Sequence, residues 1–398
     1  MLKAIAVLYK YSDDFYFQSC FSAVPLPTSY PGVFMSVIRK FIIIIAVVFV
    51  TVQAQGQQKI NWPSPEVEQM YQQARDYLSR GNLRQAIVTY QQAIPLAPAV
   101  MVLRRDLAQA YILSGNYEQA DKLLDGVIKS NKADEQCYQL QASSYAAQGD
   151  AKKAASTVSK GIEKFPHSGL LFHEQGKIHD DVYEQEEALK CWLDGIAADP
   201  AYRVNYYEAA RTYMLSDKTV WAIIYAEIFV NMEQQTPRAN ETRKLLLNAY
   251  KKFFYTPVTT DMPEFGKGAK APVKNFEDAV TVTLRKLFPV VSDGITTENL
   301  VMLRTRFLMD WQANYAQRYP FTLFAFQDSL LRNGDFDVYN QWLLGRAENQ
   351  QQYDAWNKFH EGEMVKFETW VRDHRLQPVA ADAYNDRKVR NLFAKKKN

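Results

Sequence analysis

The sequence predicts an all-α fold: a solenoid of about five stacked helix–turn–helix units with a capping helix, followed by a smaller α-helical domain. Three observations carry this. Gly81, Gly115 and Gly149 recur at one constant interval, each heading a Gly-Asn/Asp-x-x-x-Ala motif. Small and aromatic residues hold one register around them. A cluster of Pro257, Pro263, Gly266, Gly268 and Pro272 then separates this periodic part from a sequence with a different rhythm. A period that never slips describes one supersecondary unit stacked on copies of itself, which presents a long binding surface rather than an enclosed catalytic cleft.

The first unit reads Met70, Ala74, Tyr77, Gly81, Ala86, Tyr90, Ala93, Pro98, with small residues where two helix backbones approach and aromatics beside them. The second reads Leu107, Ala108, Tyr111, Gly115, Tyr117, Ala120, Leu124, and the third Tyr138, Ala142, Tyr145, Gly149, Ala154, Val158, Gly161, Pro166. A fourth keeps Phe172, Gly176, Ala188, Trp192, Gly195 and Pro200, with His179 in the first-helix aromatic slot and Tyr183 where the turn glycine stood. A fifth has Tyr206, Ala210, Tyr213, Ala222, Ala226 and Phe229, with Asp217 at the turn. This pattern resembles the tetratricopeptide repeat, of a secreted bacterial type, over residues 67–236. The resemblance implies a protein-binding groove lined by the first helix of each unit.

Counting in register, the groove candidates are Glu68, Tyr71 and Arg75; Arg105, Gln109 and Ile112; Gln139, Ser143 and Ala146; His173, Lys177 and Asp180; Tyr207, Arg211 and Met214. One position runs Arg75, Gln109, Ser143, Lys177, Arg211. Cations at both ends of a small polar centre suit an acidic or carboxylate-terminated peptide, since guanidinium groups hold carboxylates bidentately; equally, long cationic side chains keep a groove soluble. Chaperone-binding members of the family clamp a terminal carboxylate with a Lys/Asn set, and those asparagines are absent here. Glu241 to Phe254 then reads as an amphipathic capping helix, with Leu245, Ala249 and Phe253 on one face and Arg243, Lys244 and Lys251 outside.

Residues 41–52 are almost continuously apolar, follow Arg39-Lys40 and lead into Val52-Gln53-Ala54, a small-x-small processing site. This is the layout of a signal peptide at 35–54, about 12 apolar residues being too few to span a bilayer; the competing reading is a retained anchor. Met35 is then the expected start, residues 1–34 an artefact of start-codon choice and disordered, and the mature chain begins near Gln55 with a linker at 55–66 and no integral membrane span. Removing 1–54 takes four cations and two acids, so the net charge of +3 falls to +1. A near-neutral chain has no long-range attraction for nucleic acid. A periplasmic or secreted location follows, with a protein or peptide partner in the cell envelope. Cys137 and Cys191, the two cysteines past this segment, fall where helices face their neighbours and are expected as buried free thiols.

The solenoid with its cap spans 67–254, a linker 255–274, a helical domain 275–386 and a basic tail 387–398, which reads as solvated. Within the domain, Thr296-Thr-Glu298 opens a helix through Leu300, Leu303, Phe307, Leu308 and Trp311 that Pro320 closes. Tyr339-Asn-Gln-Trp342, Tyr353-Asp-Ala-Trp356 and Phe367-Glu-Thr-Trp370 form an evenly spaced ladder, each pair about four helical turns from the next, with Gly345 and Asn349 setting the first pair on its own short helix. The ladder is either an internal packing ridge or a surface for stacking sugars.

No catalytic, cofactor-binding or metal site is expected. His173 and His179 stand six apart on one helix and cannot share an ion, and His179 reads as a satisfied core histidine. His360 with Glu361 and Glu363, and Asp373 with His374, place their histidines roughly 21 Å apart on one helix, too far for a proton relay. Phosphate-loop and nucleophile-elbow motifs are missing. The leading expectation is a non-catalytic protein-interaction scaffold of the cell envelope. The alternatives are a glycan- or peptide-binding accessory protein for nutrient uptake, as in starch-utilisation binders that also build on these repeats, or an enzyme in the C-terminal domain.

Overall fold

The computed structural model describes residues 60–255 and 273–385. The expected leader (1–34), signal segment (35–54), basic tail (387–398) and most of the linkers lie outside them. Every element among the described residues is helical. Two compact units divide the chain between Ile178 and His179.

The first unit contains three helix pairs: α1 (Pro65–Ser79) with α2 (Leu83–Leu96), α3 (Met101–Leu113) with α4 (Tyr117–Lys129), and α5 (Glu135–Ala147) with α6 (Ala151–Lys164). Helix α7 (Gly169–Asp181) begins a fourth. The turn glycines explain the period. Gly81, Gly115 and Gly149 have φ of 74°, 79° and 83°, a left-handed conformation that costs a side-chain-bearing residue energy. There the backbone closes a Schellman turn: Asn82 N–H donates to the Tyr77 carbonyl at 2.8 Å, Asn116 to Tyr111 at 2.8 Å and Asp150 to Tyr145 at 2.9 Å. Ala74, Ala86, Ala108, Ala120, Ala142 and Ala154 are fully buried where paired helices touch. Gly161 is fixed by the same logic, because a Cβ there would lie 3.0 Å from Leu171 Cδ1 and from Tyr138 Cβ. The apolar interior forms two modest clusters in succession, one from Val67 to Ala110 and one from Ala108 to Ile178.

In the second unit Tyr183 takes the turn-glycine position at φ 63°, and Glu184 N–H donates to the His179 carbonyl at 3.0 Å, so the fourth turn keeps its form without glycine. The fifth abandons it. Helix α9 (Val204–Leu215) ends at Ser216 with extended backbone, and Lys252 Nζ caps it by donating to the carbonyls of Met214 (2.7 Å) and Ser216 (2.6 Å). Helix α8 (Gln185–Ala198) packs on α9, which packs on α10 (Thr219–Met232), which packs on α11 (Pro237–Tyr255).

Every residue of α10 is buried, the state expected of a helix that is apolar all round. Its cover comes from α9 and α11 and from α12 (Phe276–Lys286), α13 (Thr297–Asn314), α14 (Thr322–Asn333) and α15 (Phe336–Asn340), and a π-helical turn at Gln341–Gly345, α16 (Arg346–Glu348) and α17 (Gln350–Asp373) complete the unit. Thr296 caps α13 as expected, its hydroxyl accepting from Asn299 N–H at 3.2 Å. One hydrophobic core runs from Leu189 to Leu376 and draws on residues before and after 255–274, all within the second compact unit. Phe276 is its hub, with the rings of Trp221, Trp311, Tyr319, Phe321, Phe324 and Tyr384 all within 6.0 Å.

Helix α11 follows the fifth pair as expected but does not face water on its far side, where the π-helical turn and α16 cover it. Arg243, expected outside, is therefore buried. Its guanidinium donates to the Gln234 carbonyl (2.9 Å) and to Asn240 Oδ1 (3.0 Å) and lies 4.7 Å from the Trp342 ring, and burial lowers its pKa to about 10.

Candidate functional site

The first helices of the first unit bring Tyr71, Arg75, Arg105, Gln109, Gln139, Ser143, His173 and Lys177 into successive register positions, and several of them are bonded to acids of the protein itself. The Tyr71 hydroxyl donates to Asp106 Oδ2 at 3.0 Å. Arg105 is shared between Asp106 (Nε to Oδ1, 3.0 Å) and Asp134 (Nη1 to Oδ2, 2.6 Å). Asp134 also caps α5 by accepting from Cys137 N–H at 3.0 Å. Burial alone would raise the Asp134 pKa, but Arg105 and the bonds from Cys137 hold it below the usual carboxylate range. Further along, Glu174 accepts from Gln139 Nε2 (3.2 Å) and Ser143 Oγ (2.9 Å), and Lys177 Nζ lies 3.8 Å away. Arg75 sits 5.6 Å over the Tyr71 ring. His173 is buried and Gln109 half-buried.

The last two candidates belong to the second unit. Arg211 lies 5.4 Å over the Tyr207 ring and bonds Glu208 Oε2 at 2.8 Å. In the row Arg75, Gln109, Ser143, Lys177, Arg211, two of the cations lie beside an acid on their own helix, Lys177 beside Glu174 and Arg211 beside Glu208, and the neighbouring Arg105 is likewise paired with Asp106 and Asp134. An anionic peptide engaging these cations would compete with Asp106, Glu174 or Glu208 for them.

Those acids are the residues the sequence reading missed. Asp106, Glu174 and Glu208 occupy one register position, immediately after the Tyr71/Arg105/Gln139/His173/Tyr207 row, and stand whole repeats from one another. Glu174 and Glu208 stand three before Lys177 and Arg211, the spacing at which helix side chains meet.

A second polar cluster is buried in the other unit. Glu227 of α10, 2% exposed, is bonded by Arg304, by Gln327 Nε2 (2.5 Å) and by the Tyr339 hydroxyl (2.7 Å). Asn231 Nδ2 donates to the same hydroxyl at 2.8 Å, and Arg304 also reaches Asn340. Burial opposes the Arg304 charge, yet Glu227 more than compensates and keeps the guanidinium firmly protonated. The cavity beside this network, lined by Glu227, Tyr250, Arg304 and Gln327 among apolar side chains, holds about 20 Å³, room for one water and no substrate.

The aromatic ladder is chiefly core. Tyr339, Trp342, Tyr353 and Phe367 are buried, while Trp356 and Trp370 are half-buried beneath histidines: His360 stacks on Trp356 at 4.2 Å and His374 on Trp370 at 4.6 Å. Each histidine Nδ1 lies against the carbonyl of its tryptophan, at 2.9 and 2.8 Å, and each interrupts the helix, His360 as a kink within α17 and His374 at its end. His179 is not a core residue; its side chain keeps 31% exposure and Nδ1 pairs with Glu184 Oε2 at 2.7 Å. Cys137 and Cys191 are free and buried, and burial pushes both thiols up to about 12. Among the described residues no group of three or more His, Cys, Asp and Glu side chains could hold a metal ion, and no helix is long and apolar enough to cross a membrane.

Residues 77–143, from the end of α1 to within α5, match the family model of the tetratricopeptide repeat. Human protein O-mannosyl-transferase TMTC1 is 28% identical over 98 residues, which are 25% of this chain and 11% of that protein. The chain therefore spans about a tenth of the length of this curated relative (11%). Similar solved structures include TTC0263, a tetratricopeptide-repeat protein of Thermus thermophilus (14% identity, 46% of this chain and 99% of that one, TM-score 0.38). Pseudomonas aeruginosa pilF (17%, 47% and 84%, TM-score 0.39) and Desulfovibrio magneticus MamA (13%, 44% and 99%, TM-score 0.33) are others. The helix pairs, the evenly spaced left-handed turns and the family match agree that this chain carries tetratricopeptide repeats.

Proposed function

We propose that the protein is a non-catalytic scaffold of the cell envelope, which binds an extended segment of a partner protein along the first helices of residues 65–178. The repeat fold supports protein–protein interaction in general. The observation that carries the finer reading is the wiring of that face: Tyr71 to Asp106, Arg105 to Asp134 and Ser143 to Glu174 lock side chains of successive units together, fixing a surface that a ligand need not organise. Because the charges are matched within the protein, recognition rests on hydrogen bonding and shape at positions such as Gln109 and Ala146, with no general attraction for acidic peptides.

The location rests on the segment at 35–54, and the absence of catalysis on the kind of sites the chain offers. The stretch shared with the human transferase is 98 residues, nearly three repeat units in length, and we read it as a likeness of repeats with no transfer of activity. Affinity capture from envelope extract with the full chain, against a Gln109→Lys/Ala146→Lys variant, tests the proposal. Both positions are half-buried on the first helices and outside the ion pairs, and circular dichroism of the variant checks that it keeps its helices. Loss of a defined partner from the variant is expected; equal recovery of every partner by both forms removes the groove from the account.

A further inference from the structure

Helices α2 and α4 both pack on α3 but not closely on each other, and a cleft of about 690 Å³ opens between them. Its floor is apolar, built from Ile94, Met101, Leu107, Tyr111, Leu123 and Val127. Its rim carries Arg104, Lys122 and Lys132, and no carboxylate lines it. The contrast with the first-helix face begins between neighbours. Arg105 is held by two acids, whereas Arg104, turned about 100° around α3, bonds the Pro98 carbonyl at 2.5 Å and no acid among the described residues. Lys122 and Lys132 are exposed, and neither makes an ion pair among the described residues.

Two further features shape the wall. Pro95 has no N–H to give the Gln91 carbonyl one turn back in α2, which leaves an acceptor on a residue that lines the cleft. Gly126, exposed on α4, has open space where a Cβ would stand, so the cleft is not filled from its own wall. The lining along α4 runs from Gln119 to Ser130 at the helix's C-terminal cap, about 16 Å along the axis, longer than one ionic headgroup and matched to three turns of a helix.

We propose that this cleft docks an amphipathic acidic segment of a partner protein, its apolar side chains on the floor and its carboxylates against Arg104, Lys122 and Lys132. The unmatched cations select the sign of the partner, and the open apolar floor supplies the contact area. It is a second docking surface, on a different face of α3 from Arg105 and Gln109, and it stands whether or not the first-helix face binds anything.

Fluorescence anisotropy of the full chain tests it, the probe being a labelled three-turn peptide with leucines on one face and glutamates on the other. The same peptide with lysine for glutamate is the control. The glutamate peptide is expected to bind, more weakly as salt rises, and Lys122→Glu/Lys132→Glu to weaken it by roughly tenfold or more. Gly126→Glu is expected to abolish binding without unfolding α4, since the new side chain enters open space and glutamate forms helix better than glycine. The proposal is overturned if the lysine peptide binds equally well, or if neither variant changes the affinity. Binding of anionic phosphatidylglycerol vesicles that Gly126→Glu abolishes, with no binding of the glutamate peptide, also overturns it and makes the cleft a lipid site.

Discussion

The two compact units are both helical and hold their helices by opposite means. In the first, the interior is a succession of modest clusters, and polar side chains link each repeat to the next, as Tyr71 does to Asp106 and Gln139 to Glu174. In the second unit α10 is wrapped on every side, and the bonds that fix it come from far along the chain: Arg304, Gln327 and Tyr339. The first arrangement leaves its faces open for partners and spreads stability over local contacts. The second encloses its charges and gains a single arrangement of many helices. Recognition can be built on the first; the second serves as a core.

The largest effect that would break this contrast lies at Glu227. Glu227→Ala strands the Arg304 guanidinium in a dry interior and is expected to cost about 3–5 kcal/mol in urea denaturation. Glu227→Leu combined with Arg304→Met should recover most of that loss, because removing both charges removes the need to pair them. A small cost for Glu227→Ala would mean that the core is wetter than its packing indicates.

In the first unit the electrostatic effect is smaller and depends on pH. The folded-state pKa of Asp134 is depressed, so its contribution is present above the unfolded carboxylate value and is lost as pH falls through the folded one. Asp134→Asn keeps an N-cap for α5 yet loses the charge facing Arg105, and so should flatten the fall in stability below about pH 4. An unchanged acid limb, followed by circular dichroism, would assign that fall to other carboxylates.

The smallest effect sharpens the boundary between the two regimes. Tyr183, 89% exposed, holds a left-handed backbone only to keep the repeat turn. Tyr183→Gly should stabilise the protein by about 1 kcal/mol, read as a rise in Tm. Destabilisation would show that the tyrosine ring contributes more than its exposure indicates.

These regimes also decide what could be read from the sequence. The stack was legible because glycine, alanine and tyrosine return at a constant interval, and even Tyr183 could be placed by register. The candidate face could be laid out by register, but the row was read for its cations alone, with Lys177 and Arg211 taken without Glu174 and Glu208 beside them on the same helices. Glu227 carried a signal too, as a lone acid within Val-Trp-Ala-Ile-Ile-Tyr-Ala-Glu-Ile-Phe-Val-Asn-Met. A carboxylate in such a helix must find a partner, though Arg304 could not have been named from the chain. Arg243 was placed outside because amphipathic periodicity reports one partner face, and α11 has two. The core joining Leu189 to Leu376 was not legible for the same reason, as it consists of long-range contacts with no local pattern.

Native-state hydrogen exchange followed peptide by peptide tests the contrast most directly. Amides of α10 and of the α13 and α15 segments around Arg304 and Tyr339 should exchange slowest and at a common rate, while those of α1 to α6 should exchange faster and grade from one helix pair to the next. A single uniform rate across all these helices, or an α10 that exchanges as fast as α2 and α4, would contradict the account.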